Sequence, residues 1–257
     1  MSENNNKSMT LNLMIWRQAC GAAKGKIEQY KLSGVYTHMS FFEMLDYLNQ
    51  TLAEKGIKPV VYDNDCREGI CGTCGLVVNG VPHGPGDHTT TCLIQMRQFK
   101  DGDTIFIEPF RAKAFPVLQD LVVDRSAMDE IIQAGGFIDV SVGGVPDGND
   151  ILIGKEVADL SMDAAACLGC GACVATCKNA SSMLFVSAKI SQLALLPQGK
   201  VEAEQRVQKM IHKMDELGFG NCTNEAECEV TCPEGINISN IARMNREFLK
   251  AIVTTKA

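Results

Sequence analysis

Cys167-Leu-Gly-Cys170-Gly-Ala-Cys173-Val-Ala-Thr-Cys177 and Cys222-Thr-Asn-Glu225-Ala-Glu-Cys228-Glu-Val-Thr-Cys232-Pro233 are the stretches on which the fold turns. The first has the C-x2-C-x2-C-x3-C spacing by which thiolates hold a cubane iron–sulfur cluster, and the fourth Cys of such a run serves the other cluster of a pair. Two runs therefore imply two interlocked clusters. Cys167, Cys170 and Cys173, with Cys232 crossing over beside Pro233, are the expected ligands of a 4Fe-4S cluster. The same rule gives Cys177, Cys222 and Cys228 to its partner. In the second run Glu225 stands where the second Cys is due. Carboxylate is a harder ligand than thiolate, so three thiolates and a vacant corner favour a 3Fe-4S cluster there.

Upstream, Cys66-Arg-Glu-Gly-Ile-Cys71-Gly-Thr-Cys74 with Cys92 gives C-x4-C-x2-C…C, the plant-type spacing for a 2Fe-2S cluster. Gly69, Gly72 and Gly75 let backbone amides approach the sulfurs. A structural zinc site also uses Cys pairs, but zinc loops do not favour the x4 interval. Around this loop, Leu11, Leu13 and Ile15 alternate with more polar neighbours, and after Gly21–Gly25 the run Lys26–Lys31 completes a hairpin. Ser40-Phe-Phe-Glu43 is a capping box that starts a helix striped by Phe41, Leu45, Leu48 and Leu52 and ending at Gly56. Val60-Val61 reads as a short strand. Leu76–Val81 reads as a hairpin turned by Asn79-Gly80, and Thr104–Glu108 as a closing strand. Strands and one helix around a cluster loop predict a β-grasp, plant-type ferredoxin domain over residues 1–112.

From Phe115-Pro116 the texture becomes helical, which predicts a bacterial-ferredoxin-like domain over residues 113–257 and an α+β chain. Ala180–Leu196 reads as a buried helix stopped by Pro197. Val207, Met210, Ile211, Met214 and Leu217 stripe the next helix, and Ile238, Ile241, Met244 and Phe248 the last. Gly135–Asp150, rich in Gly and Asp, reads as a surface loop. Cys20 is left over and reads as a small buried or half-buried thiol, and His38, His83, His88 and His212, with no Asp or Ser constellation that would make them catalytic, read as surface or structural residues. No residue here makes a substrate site.

The chain has 257 residues, 46% of them hydrophobic, enough for two small domains. Its twelve Cys do not suggest disulfides, because Met1–Asn6 opens no signal peptide and the expected compartment is the reducing cytosol. A net charge of −7 supplies no basic stripe for phosphates, so nucleic acid is not an expected partner.

Asp65–Cys74, Phe115–Ser126, Cys167–Cys177 and Cys222–Pro233 together resemble the iron–sulfur subunit of succinate dehydrogenase and fumarate reductase. The resemblance implies a relay of electrons through three clusters. One partner would be an FAD-containing flavoprotein subunit that interconverts succinate and fumarate, the other a membrane cytochrome b anchor with haem and quinone. It also implies a peripheral location on the cytoplasmic side of the inner (plasma) membrane. Ubiquinone-reacting relatives carry Pro and then Trp residues after the position of Cys177, and His after that of Cys222. Here Lys178-Asn179 and Thr223 follow instead. Ala180–Phe185 and Leu195–Gly199 look like the bacterial branch with a di-haem cytochrome b, often using menaquinone. On this reading Ala180–Leu196 is the expected membrane-facing segment. The alternative is the iron–sulfur subunit of a soluble flavin-dependent oxidoreductase, of the glycolate oxidase or thiol:fumarate reductase type.

Overall fold

The computed structural model describes residues 8–139 and 152–255. Its contacts divide the chain into two compact units, Met1–Asp124 and Arg125–Ala257.

The first unit is built on a five-stranded sheet in the order β2-β1-β5-β3-β4. Alternation in β1 (Ser8–Arg17) buries Met9, Leu11, Leu13 and Ile15 on one face, and β1 pairs antiparallel with β2 (Lys26–Tyr36). β5 (Thr104–Pro109) runs parallel to β1 and antiparallel to β3 (Leu76–Val78). The hairpin from β3 to β4 (Val81–Pro82) turns through Asn79 and Gly80, both at positive φ as an Asn-Gly turn requires. Helix α1 (Phe41–Glu54) begins at the expected capping box. Ser40 Oγ accepts from the Glu43 amide at 3.2 Å, and the Glu43 carboxylate accepts from the Ser40 amide at 2.6 Å. Its stripe of Phe41, Leu45, Leu48 and Leu52 joins Leu11, Leu13, Ile15, Ile105 and Ile107 in one core. Trimming any of these leucines to Ala costs about 2–5 kcal/mol.

Val60-Val61 does not join the sheet. The Val60 backbone instead pairs with the side-chain amide of Asn49, donating to Oδ1 at 2.7 Å and accepting from Nδ2 at 2.9 Å. A side chain that satisfies both backbone groups replaces a strand partner. Val61 donates to Asp120 Oδ2 at 3.0 Å. That carboxylate also explains why the division falls at Asp124 and not at residue 112. Asp120, at φ 45°, turns the hairpin of β6 (Val117–Gln119) and β7 (Val122–Val123), and it is 2% exposed. It accepts from the Gln18 amide at 2.9 Å and from Arg17 Nε at 3.2 Å. A buried carboxylate must be paired, and its partners lie in β1 and beside it, so residues 113–124 are tied to the first unit.

The second unit is helical: α2 (Ser126–Gly135), α3 (Lys155–Ala165), α4 (Ala172–Thr176), α5 (Met183–Leu195), α6 (Ala203–Glu216), α7 (Glu227–Val230) and α8 (Ser239–Thr255). α5 starts three residues later than Ala180, because Ala180 sits at φ 50°, outside the right-handed helical region. It is the central helix of this unit, packed on α3, α6 and α8, with Leu184, Phe185, Val186, Ile190 and Leu193 all buried. The body of this helix is therefore not a membrane-facing surface, because most of its apolar side chains are spent on the unit's own core; Met183 at its start is half-buried. Neither α2 nor α3 was legible as a separate helix. The end of α2 is secured by Arg206, 3% exposed, which donates to the carbonyls of Gly135 at 3.0 Å, Phe137 at 2.9 Å and Gly199 at 2.7 Å. Of the expected Gly135–Asp150 loop, residues 140–150 lie outside the described residues. Among the described residues no helix is long and apolar enough to cross a membrane.

Candidate metal centres

The first cysteine group sits on the loops that follow α1 and precede β3, with Cys92 on a single 3-10 turn, Thr91–Leu93. The amides of Glu68 and Ile70 turn in on Cys66, and these hydrogen bonds pull its pKa down to about 6. Glu68 N lies 3.3 Å from Cys66 Sγ. The hydroxyl of Thr73 is 3.1 Å from Cys71 Sγ and that of Thr90 is 3.2 Å from Cys92 Sγ. Cys74 and Cys92 are buried as neighbours, and burial pushes the Cys74 thiol up to about 12. The loop admits no side chain at Gly75, where a Cβ would meet the Phe110 ring at 2.7 Å, or at Gly69, held at φ 80°. His83, 1% exposed, accepts from the Thr91 amide at Nδ1 and packs edge-on against Phe110 with centroids 5.2 Å apart. Through Thr91 this His is tied to the turn that carries Cys92.

The second group closes on one cavity in the helical unit. Cys167, Cys170, Cys173 and Cys232, with Pro233, line it together, although Cys232 comes from the far run. Gly169 (φ 65°) and Gly171 (φ 89°) bend the loop into the start of α4. Burial raises the pKa of Cys167, takes Cys170 to about 12 and carries Cys173 well above the ordinary thiol value. At Cys232 burial also dominates, against amides of Ile236, Glu234 and Gly235 that favour the thiolate. Buried thiols stacked against each other stay protonated unless a metal takes the proton's place.

A separate cavity is lined by Cys177, Cys222 and Cys228, together with Lys178, Thr223, Asn224 and Glu225. Asn224 and Ala226 stand at positive φ and wrap the Cys222–Cys228 loop inward, with the Asn224 amide 3.3 Å from Cys222 Sγ. Burial takes Cys228 to about 11. Glu225 does line this cavity, but its carboxylate is half-exposed and engaged: Lys178 pairs with it and the Thr223 hydroxyl donates to Oε1 at 3.1 Å. The Lys178 contact, first, and Thr223 hold its pKa below the usual value. Asn179 ties the two runs together, donating to the Asn221 carbonyl and to Thr223 Oγ1, each at 3.1 Å.

Cys20 stands outside all three groups and is exposed, not buried or half-buried as its residue type suggests. Among the described residues no three His, Cys, Asp or Glu side chains close on a single ion; the cysteines of the second and third groups stand around cavities. Grouped thiols, inward amides and, at the first loop, glycines that leave no room for a Cβ fit iron–sulfur clusters.

Residues 12–130 match the family model of the 2Fe-2S iron–sulfur cluster binding domain, and residues 166–236 that of the 4Fe-4S dicluster domain. The succinate dehydrogenase iron–sulfur subunit of Bacillus subtilis is 31% identical over 196 residues, 74% of this chain and 72% of that protein. The chain belongs to the family of succinate dehydrogenase and fumarate reductase iron–sulfur subunits. The fumarate reductase iron–sulfur subunit of Wolinella succinogenes is 23% identical over 95% of this chain and 98% of its own length. A chain of the Mycobacterium smegmatis Sdh1 complex in the apo form shares the fold, with a TM-score of 0.69 and 21% identity over 95% of this chain and 97% of that one. Members of this family carry electrons in an oxidoreductase complex. Thr73, Thr90, His83 and Arg125 touch the cysteine loops, and no spacing rule marks them.

Proposed function

We propose that this chain relays electrons through three clusters, between an FAD-containing flavoprotein subunit that interconverts succinate and fumarate and a membrane cytochrome b anchor with haem and quinone. Cys66, Cys71, Cys74 and Cys92 hold 2Fe-2S, Cys167, Cys170, Cys173 and Cys232 hold 4Fe-4S, and Cys177, Cys222 and Cys228 hold 3Fe-4S. The clusters supply one-electron acceptance and release. The chain's own residues bind them, exclude bulk water at the second site, and aim amides and hydroxyls at sulfur.

The observation that carries this reading is the crossing of the two runs, in which Cys232 stands with Cys167, Cys170 and Cys173 while Cys177 stands with Cys222 and Cys228. A pair of clusters sharing two helical runs is a connected path; unrelated zinc sites would not need the exchange. The departure of Lys178, Asn179 and Thr223 from the Pro, Trp and His of ubiquinone-reacting relatives favours an anchor of the di-haem, menaquinone type, which we place on the cytoplasmic side of the inner membrane. Affinity purification of the tagged chain from detergent-solubilised native membranes tests the assembly. FAD and b-type haem should co-purify with it. Recovery from the soluble fraction with flavin and no haem would support the soluble oxidoreductase reading instead.

A further inference from the structure

The four cysteines of the second cavity line one recess in the helical unit, with Cys170, Cys173 and Cys232 buried. A cluster there gains a further electron each time it is reduced, so fixed charges nearby weigh on its potential. Two cations, Arg125 and Lys189, stand near these sulfurs, and Glu234 lines the same cavity. They are held differently. Lys189 Nζ is bonded to the Gln192 side chain on its own helix at 2.7 Å. Arg125 is bonded to the cluster loop itself, Nη1 donating to the Cys170 carbonyl at 2.9 Å and reaching the Gly169 carbonyl at 3.5 Å. The carbonyl and amide of one trans peptide point opposite ways. Anchoring the Cys170 carbonyl on Arg125 therefore turns the Gly171 amide away from the guanidinium and fixes a bend that two positive-φ glycines, Gly169 and Gly171, leave loose. The neighbouring amides of Gly169 and Ala172 then reach the sulfurs of Cys167 and Cys170.

We propose that Arg125 is a positioning residue for the second cluster: it straps the Cys167–Cys173 loop by its carbonyls and, through its fixed charge, holds the cluster's potential up. This rests on the assignment of Cys167, Cys170, Cys173 and Cys232 as the ligands of that cluster. Arg is suited to both tasks, being permanently charged and able to hold two acceptors at once.

The test is a redox titration of the intact complex followed by magnetic resonance. In Arg125→Gln the second cluster should titrate lower. At the potential where wild type is half reduced, its reduced-to-oxidised ratio should fall at least threefold, about 28 mV at 59 mV per decade for one electron. Arg125→Lys keeps the charge and should stay within that threefold margin, and the other two clusters should titrate as in wild type. An Arg125→Gln complex that retains the cluster at the wild-type midpoint would overturn the proposal. Should Gln prevent cluster binding, Arg125→Lys decides: a bound cluster within the margin supports the proposal, and loss of the cluster despite the retained charge refutes its electrostatic part. A wild type with no four-iron signal would instead defeat the ligand assignment, and so the two failures are distinguishable.

Discussion

Gly220→Ala should remove the third cluster while sparing the second. Gly220 faces Asn179 so closely that a Cβ would lie 1.9 Å from the Asn179 carbonyl oxygen and 2.9 Å from its carbon. Non-bonded carbon and carbonyl oxygen sit at about 3.3–3.6 Å, so one backbone must retreat by more than about 1 Å. Its φ lies outside the left-handed range, which makes the effect steric and not conformational. The two segments forced apart carry Cys177, two residues before Asn179, and Cys222, two residues after Gly220. They are also held by Gly220 N to the Ala180 carbonyl at 3.4 Å and by Asn179 Nδ2 to the Asn221 carbonyl at 3.1 Å. Overpacking of this kind costs about 1–3 kcal/mol, which a helical unit with its own core survives, but a site tolerates misplacement of only about 0.5 Å. Magnetic resonance of the oxidised complex should lose the three-iron signal, with non-haem iron falling by about three per chain. The reduced four-iron signal should persist. A Gly220→Ala protein with full three-iron signal and an unchanged melting temperature would refute this account of the third site.

Asp120→Ala should destabilise the first unit by about 3 kcal/mol, the low end for breaking a buried ion pair, because Arg17 keeps Tyr30 and the Lys58 and Pro59 carbonyls as partners. Thermal bleaching of the 2Fe-2S absorbance reads this, and an unshifted transition contradicts it. In cluster-free protein, Cys66 should be alkylated ahead of Cys74. Its pKa is lowered to about 6, so the thiolate is populated above about pH 6 and labelling should rise through that pH, whereas the Cys74 thiol, near 12, stays protonated. Mass spectrometry that found Cys74 labelled first at neutral pH would be contrary. Glu225→Cys restores the C-x2-C spacing in the second run and should convert the third site to 4Fe-4S, with the oxidised three-iron signal lost and a lower potential; a persisting signal would mean that the spacing does not govern cluster type here.

The cysteine spacings carried most of the site into view, because metal chemistry restricts residue type and interval more tightly than packing does. The capping box at Ser40 and Glu43, the Asn79-Gly80 turn and the stripe of α1 are local signals, and the structure has all three. Non-local pairings stayed hidden. Val60-Val61 looked like a strand because its residues favour one, yet its partner is the Asn49 side chain. The division at Asp124 depends on a carboxylate that reaches Arg17, Gln18 and Val61 across long stretches of chain. In α5 the apolar residues run all round the helix, a pattern shared by buried core and membrane-facing helices, and only the packing of α3, α6 and α8 against it decides between them. Arg125 was read only as part of a matching stretch; its bond to the Cys170 carbonyl appears once the chain is folded.

The most direct test of the central claim is non-haem iron and acid-labile sulfide in the purified complex, read with magnetic resonance in both redox states. Clusters of two, four and three irons predict about nine non-haem irons per chain, a three-iron signal when oxidised, and 2Fe-2S and 4Fe-4S signals when reduced. About ten irons with no three-iron signal in protein handled without oxygen would make Glu225 a ligand, and zinc in place of iron would contradict the electron-transfer account altogether.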